Sequence, residues 1–203
     1  MISTFTTDLP FKGNRTYLQG PDIVNATSKF AKKVLDGKLT LITFKKLCLT
    51  QLTFYVATDK KNLPEIDFNL NGTIVSKLGQ TYHFSAIENG TNTYARSVPY
   101  DEAKILRNSI IDITSQSITL VDSDTSFTSI EKIVSLNKHL CNKCVSSEVK
   151  WLFSRLKLEK TTSDEPSANQ ISVSVTQVLA KRFVKSEIIL NDIKYGTIEF
   201  IAY

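Results

Sequence analysis

The chain has 203 residues, 41% of them hydrophobic and 22% charged, a composition that excludes disorder and can build a substantial core. Lys and Arg outnumber Asp and Glu by 25 to 20. That excess suits an anionic ligand or partner, but no basic run is long enough to form a nucleic-acid stripe. Three cysteines, an opening segment unlike a signal peptide, and no apolar run near the ~20 residues of a membrane span point to a soluble cytoplasmic protein.

The first strand candidate is Ile2–Thr6, followed by a turn-rich link through Pro10 and Gly13. Gln19-Gly20-Pro21-Asp22 announces a helix. Proline in the first turn has no amide to waste, and an acid there meets the positive end of the helix dipole. Ile23, Ala26, Phe30 and Val34 form its apolar stripe, and Asp36-Gly37 stops it. Two strand runs follow, Leu39–Lys46 and Leu49–Thr58, and then a loop over Lys60–Pro64.

The block from Asp67 to Val98 reads as three further runs, with Asn71-Gly72 and Gly79 as bends or bulges and Glu88-Asn89-Gly90-Thr91 as a tip. Asp101–Arg107 is a linker with a helical turn or two, and Ile110–Val121 is a strand run. A polar link over Asp122–Ser126 leads to a second helix. It opens with a capping box, Thr128 to Glu131, and carries Ile130, Ile133, Val134, Leu140, Cys141 and Cys144 on its apolar face. Val149–Lys160 is the next strand run and Thr161–Gln170 a Ser/Asp/Pro loop. Ile171–Ala202 then echoes the block Asp67–Val98 at an offset of about 103 to 104 residues. The echo predicts an internal duplication, with one unit over residues 1–100 and a second over 101–203. Each would be a strand, a helix, one or two strands and a three-strand meander.

One long amphipathic helix followed by an antiparallel sheet that wraps it, twice over, resembles the hotdog fold of acyl-thioester enzymes in duplicated, double-hotdog form. The resemblance implies an α+β fold and an acyl-CoA or acyl-carrier-protein thioester as ligand. It also implies activity as a thioesterase or diverged dehydratase, without cofactor; the alternative is a non-catalytic hotdog that binds an acyl chain or a partner protein. Lys45–Phe54 corresponds to the strand that follows the helix in hotdog dehydratases. Where those enzymes carry a Pro-Gly-Asp turn this chain has Leu49-Thr50-Gln51. Where they carry a catalytic histidine before the helix it has Tyr17-Leu18-Gln19-Gly20.

The same resemblance puts the thioester beside a helix start, where free amides can stabilise an oxyanion. Asp22 is then the candidate base or nucleophile, with Asn25 orienting a water; Gly20 admits the carbonyl and Tyr17 flanks it on the substrate side. Asp22 has an equally plain use as partner to the helix dipole. His83, inside a strand run, is a candidate base if it faces a cleft. Asn137 falls on the apolar stripe of the second helix, either facing its own repeat's strands or lining the cleft between the repeats as a substrate contact. His139-Leu140-Cys141-Asn142-Lys143-Cys144 does not supply the four ligands of a structural zinc site, so no metal is expected and the thiols read as packing. Further association of chains through exposed sheet edges is left open.

Overall fold

The computed structural model describes residues 2–91, 97–121, 124, 126–159 and 169–203, the side chain of Ile2 excepted. The chain divides into two compact units, Met1–Tyr100 and Asp101–Tyr203.

In the first unit β1 (Ile2–Thr6) leads through the two-residue β2 (Phe11–Lys12) into α1 (Gly20–Val34). After α1 come β3 (Gly37–Phe44), β4 (Leu52–Ala57), a 3-10 turn (Lys60–Asn62), β5 (Leu70–Ser76), β6 (Thr81–Glu88) and the short β7 (Ser97–Val98). Five strands form an antiparallel sheet in the order β1-β4-β6-β5-β3. Alternation puts Leu52, Phe54 and Val56 of β4, with Phe84 and Ala86 of β6, on the face toward α1, and all are buried. Phe30 of α1, Phe5 and Phe54 stack with centroids 4.1 and 4.3 Å apart, and Phe84 extends this aromatic stack with a ring tilted against Phe54 at 5.8 Å.

In the second unit α2 (Glu102–Leu106) is followed by the hairpin β8 (Ser109–Asp112) and β9 (Ser117–Val121). Then come α3 (Ser129–Cys144), β10 (Trp151–Leu158), β11 (Gln170–Leu179), β12 (Phe183–Leu190) and β13 (Ile193–Ala202). The sheet order is β8-β9-β11-β12-β13-β10, antiparallel throughout. α3 begins with the expected capping box. The Thr128 amide and hydroxyl both donate to Glu131 Oε2, at 2.8 and 2.9 Å, and the Glu131 amide donates to Thr128 Oγ1. Ile133, Leu136, Leu140 and Cys141 of α3 and Val184, Ile188, Ile198 and Phe200 of the sheet are completely or almost completely buried.

Several expectations need correction. Ile110–Val121 is a hairpin rather than one run. Asp112 turns the chain by accepting the amides of Thr114 and Ser115, and Gln116 sits at φ 48°. Gly72 is no bend: β5 pairs regularly with β6 through it, and the register shift lies on β3, between Leu39 and Leu41. A Cβ at Gly72 would overlap Leu41 O and the Phe84 ring, so close approach is what calls for glycine. Gly79 does sit in a turn, at φ 83°.

The block Asp67–Val98 also differs from its echo. β11, β12 and β13 form a meander. In the first unit β4 and β5 both pair with β6, so they run parallel to each other with β6 between them. The third run of that block reaches the described residues only as β7, which pairs in parallel with β2 outside the sheet. Sequence similarity at that offset therefore matches strands in non-equivalent places. Most of the loop Thr161–Gln170, and much of the link Asp122–Ser126, lies outside the described residues.

Candidate functional site

The start of α1 is held from three sides. Gln19 is the N-cap, extended at φ −77° and ψ 138°, and its side chain makes no capping bond. The amides of Asp22 and Ile23 instead donate to Gln19 O, at 3.1 and 3.2 Å. Just upstream, the Leu18 amide donates to Cys48 O at 2.8 Å, tying the approach to α1 to the segment between β3 and β4. On the third side, Lys12 of β2 places its ammonium 2.6 Å from Asp22 Oδ1, with both side chains largely buried. The same ammonium lies 5.3 Å from the ring of Tyr100, and the Arg15 guanidinium is 5.2 Å from that ring. Gly13 at φ 58° bends the chain between them, its amide donating to Val98 O and its carbonyl accepting from Ser97 Oγ.

The segment from Lys45 to Gln51 is itself a built structure. Glu88 at the end of β6 accepts the amides of Leu49 and Thr50, the latter at 2.7 Å, and the Asn69 side-chain amide at 3.4 Å. Asn69 returns the contact by accepting the Glu88 amide at 3.1 Å. It also donates to Leu47 O, and its own carbonyl accepts from Lys45 and Lys46. Gln51, almost fully buried, accepts from Thr7 Oγ1 and the Leu9 amide and donates to Leu9 O. Cys48 lies inside this frame. Burial, with the nearby Glu88 carboxylate adding to it, pushes its thiol up to about 12, so at neutral pH it is a protonated packing group.

Tyr17, Gly20, Asp22 and Asn25 are thus brought together at one end of α1. Tyr17 and Gly20 lie on the approach and first position, and Asp22 and Asn25 are three apart on one helical face. His83 is not with them. Phe84 belongs to the aromatic stack that reaches α1, so His83, one residue earlier on a regular strand, projects from the opposite face of the sheet. It pairs across with Ala57 and Thr73. Asn137 belongs to the second unit, on α3. It is fully buried, and its amide donates to Cys141 Sγ at 3.9 Å. Cys141 is also fully buried, its thiol pushed up to about 12 by burial first and Cys144 second. No group of His, Cys, Asp and Glu able to hold a metal is found among the described residues.

Sequence reasoning missed Lys12, Tyr100, Gln51, Asn69 and Glu88. They lie far apart in the chain and none falls on a periodic face, so only the folded register unites them. The carboxylate of Asp22 was legible; its cation, ten residues upstream, was not.

No protein-family model matches the chain, and no curated protein matches it in sequence. Solved structures do. The dehydratase domain of PpsC from Mycobacterium tuberculosis, in complex with C12:1-CoA, superposes with a TM-score of 0.54 at 8% identity. The match covers 100% of this chain and 94% of that one. The pyran synthase domain from module nine of the sorangicin pathway gives 0.52 at 10% identity, with the same coverages. A second structure of the PpsC dehydratase domain gives 0.50 at 8% identity, covering 99% of this chain and 92% of that one. The fold of this chain is the hotdog fold. At these identities the likeness is one of fold. No helix among the described residues is long and apolar enough to cross a membrane.

Proposed function

We propose that the chain is a cytoplasmic double-hotdog protein that binds acyl thioesters of coenzyme A or an acyl carrier protein, with residues 1–100 and 101–203 as its two units, and that it acts as a binder rather than a dehydratase. The observation that carries the choice is the ion pair of Lys12 with Asp22. A general base must offer its carboxylate to a substrate proton, and here one oxygen is held 2.6 Å from an ammonium inside a largely buried contact. Dehydration needs an acid and a base at one centre, and His83 lies across the sheet from Asp22. The ligand contacts assigned in this reading are Tyr17 and Gly20 at the α1 start of the first unit; Asn137 on α3 is proposed separately, as a contact of the second unit.

A second reading is favoured by one observation, the place of Asp22 and Asn25 in the first turns of α1. There a carboxylate and backbone amides stand close enough together to hydrolyse a thioester if the Lys12 pair opens. One experiment separates the two. Purified protein is titrated calorimetrically with short-, medium- and long-chain acyl-CoA and with acylated carrier protein, and thiol release is followed in parallel. The binding reading expects saturable binding without thiol release. It expects Asp22→Asn to keep that binding while losing about 1–3 kcal/mol of stability from the broken charged hydrogen bond. Turnover that falls by ~10²-fold or more in Asp22→Asn with binding intact establishes the hydrolase. Absence of binding across the panel removes both.

A further inference from the structure

The outer face of the second unit's sheet, away from α3, is polar along most of its length. The paired residues Ser174, Glu187 and Thr197 cross it in one row, and Gln177, Lys185, Glu199 and Arg155 in the next. The last row is different. Leu179 pairs with Phe183, Phe183 with Ile201, and Ile201 with Leu152, so four apolar side chains lie side by side across four strands. Leu179 is 53% and Ile201 42% exposed, and Tyr203, two residues beyond Ile201, is exposed as well. The turn that ends this row, between β11 and β12, holds Ala180 and Lys181 at φ 48° and 53°, followed by Arg182. Lys181 and Arg182 are exposed, and no acidic residue occurs from Val175 to Ser186.

A contiguous apolar row is not the scattered exposure of an ordinary surface. We propose that this end of the second unit is a membrane-contact surface. The row Leu179–Phe183–Ile201–Leu152 would enter the headgroup region of an anionic bilayer, and Lys181 and Arg182 would meet lipid phosphates. The shape selects lipid over protein. A row one residue deep at the end of a hairpin falls short of the ~800 Å² per partner that a stable protein interface buries. A bilayer needs no matching groove, and a few apolar groups with two cations give reversible attachment. The inference does not depend on the acyl-thioester reading.

The test is co-sedimentation of the full chain with phosphatidylcholine vesicles, with and without about 30% phosphatidylglycerol. The expected result is binding to the anionic vesicles that weakens with salt, and little to the neutral ones. Leu179→Ser with Ile201→Ser changes only exposed positions and should abolish sedimentation while the circular dichroism spectrum and melting curve stay as they were. Lys181→Asn with Arg182→Gln keeps the turn, since asparagine tolerates its left-handed backbone, and should weaken binding by about fivefold per cation. Failure of the native chain to sediment with anionic vesicles overturns the proposal, and so does sedimentation unchanged in the serine pair. Retention on poly-glutamate without vesicle binding overturns it in favour of an acidic protein surface.

Discussion

At the scale of single residues, two side chains, Asn69 and Glu88, hold the segment from Lys45 to Gln51 between β3 and β4, and neither is apolar. Asn69 uses its side-chain oxygen on the Glu88 amide and its side-chain nitrogen on Leu47 O and Glu88 Oε2, while Glu88 serves the amides of Leu49 and Thr50. A buried amide that loses its partner costs about 1–3 kcal/mol. Asn69→Ala should therefore lower stability by at least that amount in urea titrations and unprotect the Thr50 amide in hydrogen exchange. Unchanged exchange at Thr50 would mean that Glu88 keeps accepting that amide without Asn69 to position it. Asp22 carries the opposite lesson. Its place in the first turn of a helix was legible because an acid there has a local reason, the dipole. The Lys12 ammonium that now defines its chemistry comes from β2, outside any local pattern.

At the scale of elements, helix boundaries followed chemistry that is complete within a few residues. The capping box of α3 is formed by four consecutive positions, so Thr128→Ala should cost about 1 kcal/mol in thermal unfolding, whatever the rest of the fold does. Strands obeyed distant neighbours. Gly72 looked like a bend because glycine weakens a strand, yet it lies in regular pairing where Leu41 O and the Phe84 ring occupy the space of a side chain. Gly72→Ala should cost about 3 kcal/mol or more, a steep penalty for one methyl group. A loss below 1 kcal/mol would show that β3 and β5 separate freely there. The hairpin β8–β9 hid inside a run that looked continuous, because its turn is made by Asp112 accepting amides and by Gln116 in a left-handed conformation.

At the scale of the molecule, two thiols report on the integrity of both cores. Cys48 and Cys141 are each pushed from 9.0 up to about 12, in both cases by burial before any charge. Raised values mean that the folded state keeps protons which the unfolded chain gives up. Their contribution is therefore fully present below pH 9.0 and is lost as pH rises toward about 12. Stability from urea titrations should fall across that interval. It should fall less steeply in Cys48→Ala with Cys141→Ala, which lacks both buried thiols. Identical slopes would mean that the thiols reach solvent in the native state. Alkylation at neutral pH should label the half-exposed Cys144 first and leave the other two to global unfolding.

The sequence by itself determined the two long helices and their starts and most of the strands, because each rests on periodicity and capping within a short window; the hotdog class was read from the resemblance of their order. It also located the residues at the start of α1. Only the tertiary structure decided the order of the strands. β4 and β5 flank β6 while β11, β12 and β13 form a meander, and runs of similar composition satisfy their hydrogen bonds equally well in either order. Only the tertiary structure put His83 across the sheet from Asp22, because strand alternation turns on a single residue of register that no composition reveals. It also decided that Asp22 meets Lys12, since an ion pair between elements is a property of distance in space and leaves no period in the chain.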